Sequence, residues 1–438
     1  MKIQKSMAVL IVLALGFFGC WPNLLQAQGT RTDSQITYYQ QLLRRNPGNA
    51  KALYGLGDTL IRRARETGDP AYFDRAEDAL KRSLEIAPKN AGAMRHLAYV
   101  FYSRHEFEPA AIHARKAVEM DATDAGAYGI LGDALLEVGA YDRAEAVYKK
   151  MMELEKSLYS YSRLAGFKSI GGDSAGAIAD LERALAAGKA AKKPTESIAW
   201  TEWQLGTDHF ALGNVAQAET YYYQALETYP NYYRALAGMA QVRAAQKNYG
   251  EAINLYRKAI SVLPMPDFAA ALGDIYIKIG KPELAKQQYE LVEYIGRLNS
   301  LNQALYNREL AYFYADHDTK LAESLELAKR ELDYRKDIYA YDLLGWSLYK
   351  NDKVEEARHS IEKALTLGTQ DAKLFFHAGM IYHRLGEREK AKHYLTKAIV
   401  TKPYFHILYA ETAQKNLEQL EQPMAQVGME LPSSGREQ

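Results

Sequence analysis

Two adjacent residues, usually leucine followed by glycine or alanine, return along this chain at nearly constant intervals, and that rhythm constrains the fold more than any other feature. The pairs are Leu56-Gly57, Leu97-Ala98, Leu131-Gly132, Leu164-Ala165, Leu205-Gly206, Met239-Ala240, Leu272-Gly273, Leu310-Ala311, Leu344-Gly345 and Ala378-Gly379. From the second pair onward they stand 34, 33, 41, 34, 33, 38, 34 and 34 residues apart. Twelve residues after most pairs comes an alanine, and another follows seven later, as in Ala110 and Ala117, Ala218 and Ala225, and Ala391 and Ala398. Pro88, Pro230, Pro264 and Pro403 close four of the units. A short repeating unit cannot bury its own apolar stripe, so its neighbours in sequence must cover it, and the array grows lengthwise around a continuous core.

Each unit reads as two helices joined by a short polar turn such as Gly139-Ala140-Tyr141-Asp142 or Leu212-Gly213-Asn214. Small residues mark where helix backbones approach, and Tyr148, Tyr222, Tyr256, Tyr289 and Ile361, four after the first small position, fill the remaining holes. Proline after the second helix stops it and sets the turn into the next unit. In period and pattern, over about nine tenths of its length, the chain resembles the tetratricopeptide repeat (TPR) family. The resemblance implies an all-α, right-handed solenoid of about ten helix-turn-helix repeats.

The first residues read as a targeting segment. Lys2 and Lys5 precede an unbroken apolar run from Met7 to Phe18, and Leu25-Gln26-Ala27 offers a small residue before a cut at Gln28. Twelve apolar residues are short for a membrane span and suit a cleaved bacterial export signal. The alternative is lipidation of Cys20, which follows Gly19 directly, although Phe17 and Phe18 stand where a lipoprotein signal carries leucine and a small residue. Either route places the mature chain in the periplasm or cell envelope, with membrane attachment only through a lipid on Cys20. Cys20 is the one cysteine, so no disulfide is available.

The expected organisation is a signal over 1–27, an N-terminal repeat block over 28–186, a C-terminal block over 187–403, a capping helix over 404–421 and a disordered tail over 422–438. The seam lies at Ala187–Ser197, which breaks the period, and a longer turn is expected around Glu66–Phe73. Leu291–Gln303 reads as a helix extension.

Catalytic signals are weak. Gly172-Asp173-Ser174-Ala175-Gly176 matches a nucleophile-elbow pattern, but that motif needs a strand before the serine. Here it falls in a turn between helices, where Ser174 reads as a helix cap. The ten histidines form no H-x-x-x-H pair, and no metal or cofactor motif is present. With 55 basic and 54 acidic residues, the chain carries no surplus of charge for nucleic acid.

The TPR resemblance puts positions 2, 5, 9 and 12 of each unit on a concave face. In this chain those positions include Tyr99, Tyr102, Trp200, Trp203, Phe210, Tyr312, Tyr339, Trp346, Tyr349 and Phe376. Aromatic side chains bury large area with few torsions to freeze and are efficient anchors for a partner. The lysine and asparagine with which some TPR domains grip chaperone tails are missing: positions 5 and 9 read Tyr54/Asp58, Arg95/Tyr99, Gly129/Asp133, Trp203/Thr207, Arg308/Tyr312 and Asp342/Trp346. The expected function is therefore a non-catalytic scaffold holding protein or peptide partners in an aromatic groove. The competing reading is a component of polysaccharide export, because aromatic faces also stack on sugars.

Overall fold

The computed structural model describes residues 25–301 and 307–421. The export signal, Cys20 and the tail after residue 421 lie outside those residues. Contacts divide the chain into two compact units that meet between His96 and Leu97. Among the described residues every regular element is a helix.

The first unit holds α1 (Leu25–Arg45) and the pair α2 (Ala50–Thr67) and α3 (Ala71–Ile86), and ends within α4 (Ala91–Ser103). Asn49 caps α2 by accepting from the Ala52 amide, and Gly68 at φ 70° ends it. The longer turn expected around Glu66–Phe73 is not there: residues 68–70 alone separate the two helices, as residues 138–140 do in a later pair. The extra residues instead lengthen α2 and α3 to 18 and 16 residues. Leu53, Leu60 and Leu80 form the buried stripe. A Cβ on Gly57 would stand 2.6 Å from Leu80 Cγ, which explains the small residue there.

The second unit continues α4 with α5 (Phe107–Met120), then repeats the pair: α6 (Ala125–Glu137) with α7 (Tyr141–Leu154), α8 (Leu158–Ile170) with α9 (Ser174–Ala190), α10 (Thr195–Ala211) with α11 (Val215–Thr228). Next come α12 (Tyr233–Ala245) with α13 (Tyr249–Val262) and α14 (Pro266–Lys278) with α15 (Pro282–Leu301), the last being the extended helix. Then α16 (Arg308–Asp316) with α17 (Leu321–Tyr334), α18 (Ile338–Lys350) with α19 (Val354–Ala364), and α20 (Ala372–Arg384) with α21 (Arg388–Thr401). A last helix, α22 (Tyr409–Glu421), is followed by no second helix among the described residues and packs on α21, burying Ala413, Leu417 and Leu420. It begins five residues later than residue 404, where the closing helix was expected, and residues 403–408 form turns. Ala187–Ser197 runs from the last turn of α9 into the first of α10.

Within a repeat the packing is stereotyped. On Gly206 a Cβ would stand 2.6 Å from the ring of Tyr222, and on Gly379 2.7 Å from Leu395 Cγ. The glycine thus opens the socket for the large residue sixteen positions later. That residue's hydroxyl, where it is tyrosine, bonds the residue after the glycine: Tyr148 to Asp133 at 2.8 Å and Tyr289 to Asp274 at 2.8 Å. Alanines 110, 117, 218, 225, 252 and 259 are all fully buried, where backbones come closest.

Apart from Lys320, which joins Asp318 in the α16–α17 turn, one residue of positive φ lies in each turn between paired helices of the second unit: His105, Gly139, Gly172, Gly213, Lys247, Gly280, Asp318, Asp352 and Gly386. Their spacing reproduces that of the Leu-Gly pairs, so backbone conformation keeps the same period as the side-chain pattern. Glycine adopts this conformation freely, whereas His105, Lys247, Asp318 and Asp352 hold it against steric cost. The Ser174 motif occupies one of these turns. Its cap is Asp173, which accepts from the Gly176 amide, while Ser174 is the first helical residue. No strand precedes it.

The second unit also curls back on itself. Lys336 N donates to Glu137 O at 2.8 Å, and Tyr404 Oη donates to Gly213 O at 2.8 Å across 191 residues. Turns of early repeats therefore meet connections of late ones.

Candidate partner-binding surface

The sequence-predicted aromatics stand on the first helices of their pairs and occupy three settings there. Trp200 and Trp203, both half-buried, stand one turn apart on α10 with ring centroids 6.2 Å apart. The Arg234 guanidinium, from the next first helix, α12, lies 5.0 Å over the Trp203 ring and 5.3 Å over Tyr233. Cation–π contact of this kind fixes the arginine beside an aromatic ledge. Phe210, two turns further on α10, is buried beneath Lys402, whose ammonium sits 4.1 Å from its ring, and Tyr404 at 5.5 Å.

Trp346 and Phe376 form the second setting. Each retains only 1% of its surface, so neither presents a free face. Trp346 stacks on Tyr349 at 5.0 Å and on His377 at 4.2 Å, and it contacts Phe376 at 5.7 Å. Its indole N–H donates to Asp316 Oδ1 at 2.8 Å, and Lys373 Nζ donates to the other oxygen at 2.9 Å. Tyr312 donates to Asp342 Oδ2 at 2.7 Å while the same carboxylate meets His377 Nδ1 at 2.9 Å. These donors and acceptors are paired with each other, as the low-dielectric interior favours, while His377 Nε2 is buried without a hydrogen-bond partner.

Tyr99, Tyr102 and Tyr339 make the third setting, all half-buried. Tyr102 lies against Phe107 and donates to Glu137 at 3.4 Å. Tyr339 lines two polar cavities where the unit meets itself. One, about 210 Å³, is also walled by Ser169, Ser174, Asp208, Thr369, Lys402 and Phe405. The other, about 230 Å³, is walled by Glu137, Tyr141, Arg308, Arg335 and Asp337. Burial pushes the Glu137 carboxyl up to about 7, against the pull of Arg335, which it meets at 2.7 Å. Burial likewise lowers His105 to about 3, helped by Arg335. In the first cavity burial raises Asp208 to about 6 and lowers Lys402 to about 8. Among the described residues no group of three or more His, Cys, Asp or Glu side chains could hold a metal, and no helix is long and apolar enough to cross a membrane.

Family models described as tetratricopeptide repeat match residues 25–79, 127–158, 197–265, 267–295 and 372–403. Five matched stretches in the same register as the ten helix pairs decide the family. The chain is a tetratricopeptide repeat protein. A TPR repeat-containing protein of Methanocaldococcus jannaschii is 22% identical over 340 residues, covering 75% of this chain and 47% of the relative. The chain thus spans about half the length of that curated relative. Among solved structures, the human IFIT1 dimer with PPP-AAAA is similar at TM-score 0.51 and 18% identity, covering 78% of each chain. Yeast Tom70 is similar at TM-score 0.39 and 12% identity, covering 91% and 95%. These likenesses concern the fold.

Sequence reasoning about this TPR array missed the residues that cover its inner aromatics. Tyr404, Phe405 and Tyr409 come from the C-terminal connection, and Phe405 and Tyr409 lie 5.3 and 5.0 Å from the Phe376 ring. A signal was available. Lys402 to Tyr409 reads KPYFHILY, where six of eight residues are aromatic, aliphatic or histidine without the spacing of a first helix.

Proposed function

We propose that this TPR chain is a non-catalytic scaffold of the bacterial periplasm or cell envelope that holds protein or peptide partners along the inner face of its 97–438 unit. A TPR array is a protein–protein interaction scaffold; the location and the surface are the proposal's own. One observation carries the surface: Trp200 and Trp203 remain half-exposed beside Arg234, whereas Trp346 and Phe376 are covered. A polypeptide that lays an apolar side chain on the tryptophans and a carboxylate near Arg234 fits this ledge. Large rigid aromatics next to an arginine form the pairing that dominates binding energy at protein interfaces. The envelope location rests on the Lys2/Lys5 start, the apolar run and the small residue at Ala27, or on Cys20 if the chain is lipidated.

The test joins both parts. Cell fractionation with mass spectrometry of the mature N-terminus should find the protein in the envelope, beginning at Gln28 or at an acylated Cys20. Crosslinking in cells followed by purification should capture a partner with the wild type and lose it with Trp200→Ala/Trp203→Ala. The melting temperature should stay within a few degrees, because half-exposed side chains carry little of the core. Ser174→Ala should leave capture unchanged. Cytoplasmic protein with an intact Met1 refutes the location, equal capture by the double variant refutes the surface, and a hydrolytic activity lost with Ser174 refutes the non-catalytic reading.

A further inference from the structure

The connection after α21 does not simply lead to the next layer of the stack. From Lys402 onward it crosses the inner face and touches first helices laid down much earlier in the chain. Tyr404 reaches α10, where its ring meets Phe210 and its hydroxyl bonds the Gly213 carbonyl just beyond that helix. Ile407 packs on the cluster that holds Leu236 of α12 and Phe268 of α14. Glu411 pairs with Lys278 at the end of α14, and Tyr409 Oη donates to the Asp316 carbonyl at the end of α16. Tyr409 also lies 6.0 Å from Trp346 of α18, and Phe405 packs on Phe376 of α20.

The burial is lopsided. The receiving residues Phe210, Trp346 and Phe376 are buried, while every residue from Tyr404 to Tyr409 is only half-buried. A core element is usually enclosed on all sides by its neighbours. This segment instead covers others without being covered itself, as a bound peptide does. Its polar anchors are side-chain hydroxyls on backbone carbonyls, the approach of His406 Nε2 to Asp274 Oδ2 at 3.7 Å, and an ion pair whose Glu411 is 67% exposed and so contributes little. Segments with few enclosing contacts open locally at far lower free energy than the fold as a whole.

We propose that the inner face of the 97–438 unit is a docking surface for an aromatic-rich peptide segment folded as turns leading into a helix, and that residues 402–411 are its resident, exchangeable occupant. The incoming partner carries neighbouring aromatic side chains for Phe210 and Phe376, a further aromatic about four residues on for Trp346, and a following carboxylate for Lys278. These are the features of Tyr404, Phe405, Tyr409 and Glu411. Departure of the segment joins a newly uncovered aromatic strip to the open Trp200–Trp203 ledge on the same first helices. The inference rests on the reading of the inner face as the partner surface and adds to it the partner's chemistry and the element that must move.

The experiment uses the full chain. A fluorescein-labelled peptide with the sequence of residues 402–421 is titrated into wild-type protein and into the variant Tyr404→Ala/Phe405→Ala/Tyr409→Ala. An occupied surface lowers apparent affinity by the fraction that is open, so the variant should bind the peptide at least about ten-fold more tightly than wild type. The same peptide bearing the three alanines should not bind. Independently of any variant, hydrogen exchange on the unmodified chain should show amides of 404–411 exchanging faster than those of α20 and α21. A folded variant that takes the peptide no better than wild type overturns the proposal. So does protection of 404–411 equal to that of α20, and this second measurement decides alone if the variant does not fold. Should both arms fail while Trp200→Ala/Trp203→Ala still abolishes capture, the scaffold reading stands and the resident-occupant reading falls.

Discussion

Replacing Lys402 by methionine should make this protein more stable. Lys402 follows the last residue of α21, and no carboxylate lies within ion-pair distance of its ammonium among the described residues. Its neighbours are the Phe210 ring at 4.1 Å and the wall of the 210 Å³ cavity. Desolvation lowers its pKa from 10.5 to about 8, only partly opposed by the more distant Asp371. At about 1.4 kcal/mol per pH unit, holding the charged form at pH 7 costs the fold about 3 kcal/mol. The ring under the ammonium returns about 1 kcal/mol as a cation–π contact that methionine lacks. Methionine keeps most of the stem's packing and has a favourable contact of its own with an aromatic ring. The net expectation is a gain of about 1–2 kcal/mol at pH 7, from the difference of those two figures.

The pH dependence provides the sharper check. A depressed pKa means that the folded state prefers the neutral amine, so this contribution is present above 10.5 and lost as pH falls through about 8. Urea unfolding at several pH values between 7 and 9.5 should show the advantage of Lys402→Met shrinking as pH rises. If the variant is less stable than wild type at pH 7, or its advantage does not change with pH, the ammonium is not desolvated at a cost and the reasoning fails.

Three further outcomes follow from the same kind of argument. Glu137→Gln should remove a pH dependence: a carboxyl raised by burial from 4.5 to about 7 contributes stability that is full below 4.5 and lost as pH rises through about 7, so melting temperatures of wild type and variant should converge in shape only once this window is passed. Trp346→Ala should cost about 3–5 kcal/mol in chemical denaturation, as expected for a fully buried aromatic that also bonds Asp316, whereas Trp200→Ala should cost about 1 kcal/mol. In the turns, Lys247→Gly should gain about 1 kcal/mol by relieving a left-handed backbone, and Gly172→Ala, at φ +82° against the Gly368 carbonyl, should lose more than that; thermal melts of the pair test whether the periodic positive-φ position governs turn stability.

How much of the candidate surface was legible can be argued residue by residue. The unit positions located Trp200, Trp203, Trp346 and Phe376 on first helices, but burial separated them. The first two are half-exposed and the last two are nearly closed off. The residues next to each tryptophan, Gly345 and Ser347 or Glu202 and Gln204, are small or polar in both first helices, although Leu343, Leu344 and Leu348 make the surroundings of Trp346 the more apolar. What also differs is Tyr409, sixty-three residues further along the chain from Trp346, whose arrival depends on how tightly the stack curls. The cap of α9 was misplaced by one residue for a more local reason: Asp173 and Ser174 are both good capping residues, and only the backbone decides which one sits outside the first turn.

The sequence by itself determined the repeat, its register and its ten helix pairs, because period, small-residue sockets and turn residues are contacts between residues a few tens of positions apart. The spacing of Gly206 and Tyr222 encodes one such contact directly. Tertiary structure alone decided what the stack does with its length. The pairing of Glu137 with Arg335, the burial of His105 and Lys402, and the crossing of the C-terminal segment over the inner face all join residues of different repeats. These contacts arise from small rotations between successive units, each set by packing against its neighbour and summed over many repeats. No single repeat carries that sum in its residues, so the periodic pattern that announces the solenoid says nothing of which face it leaves open.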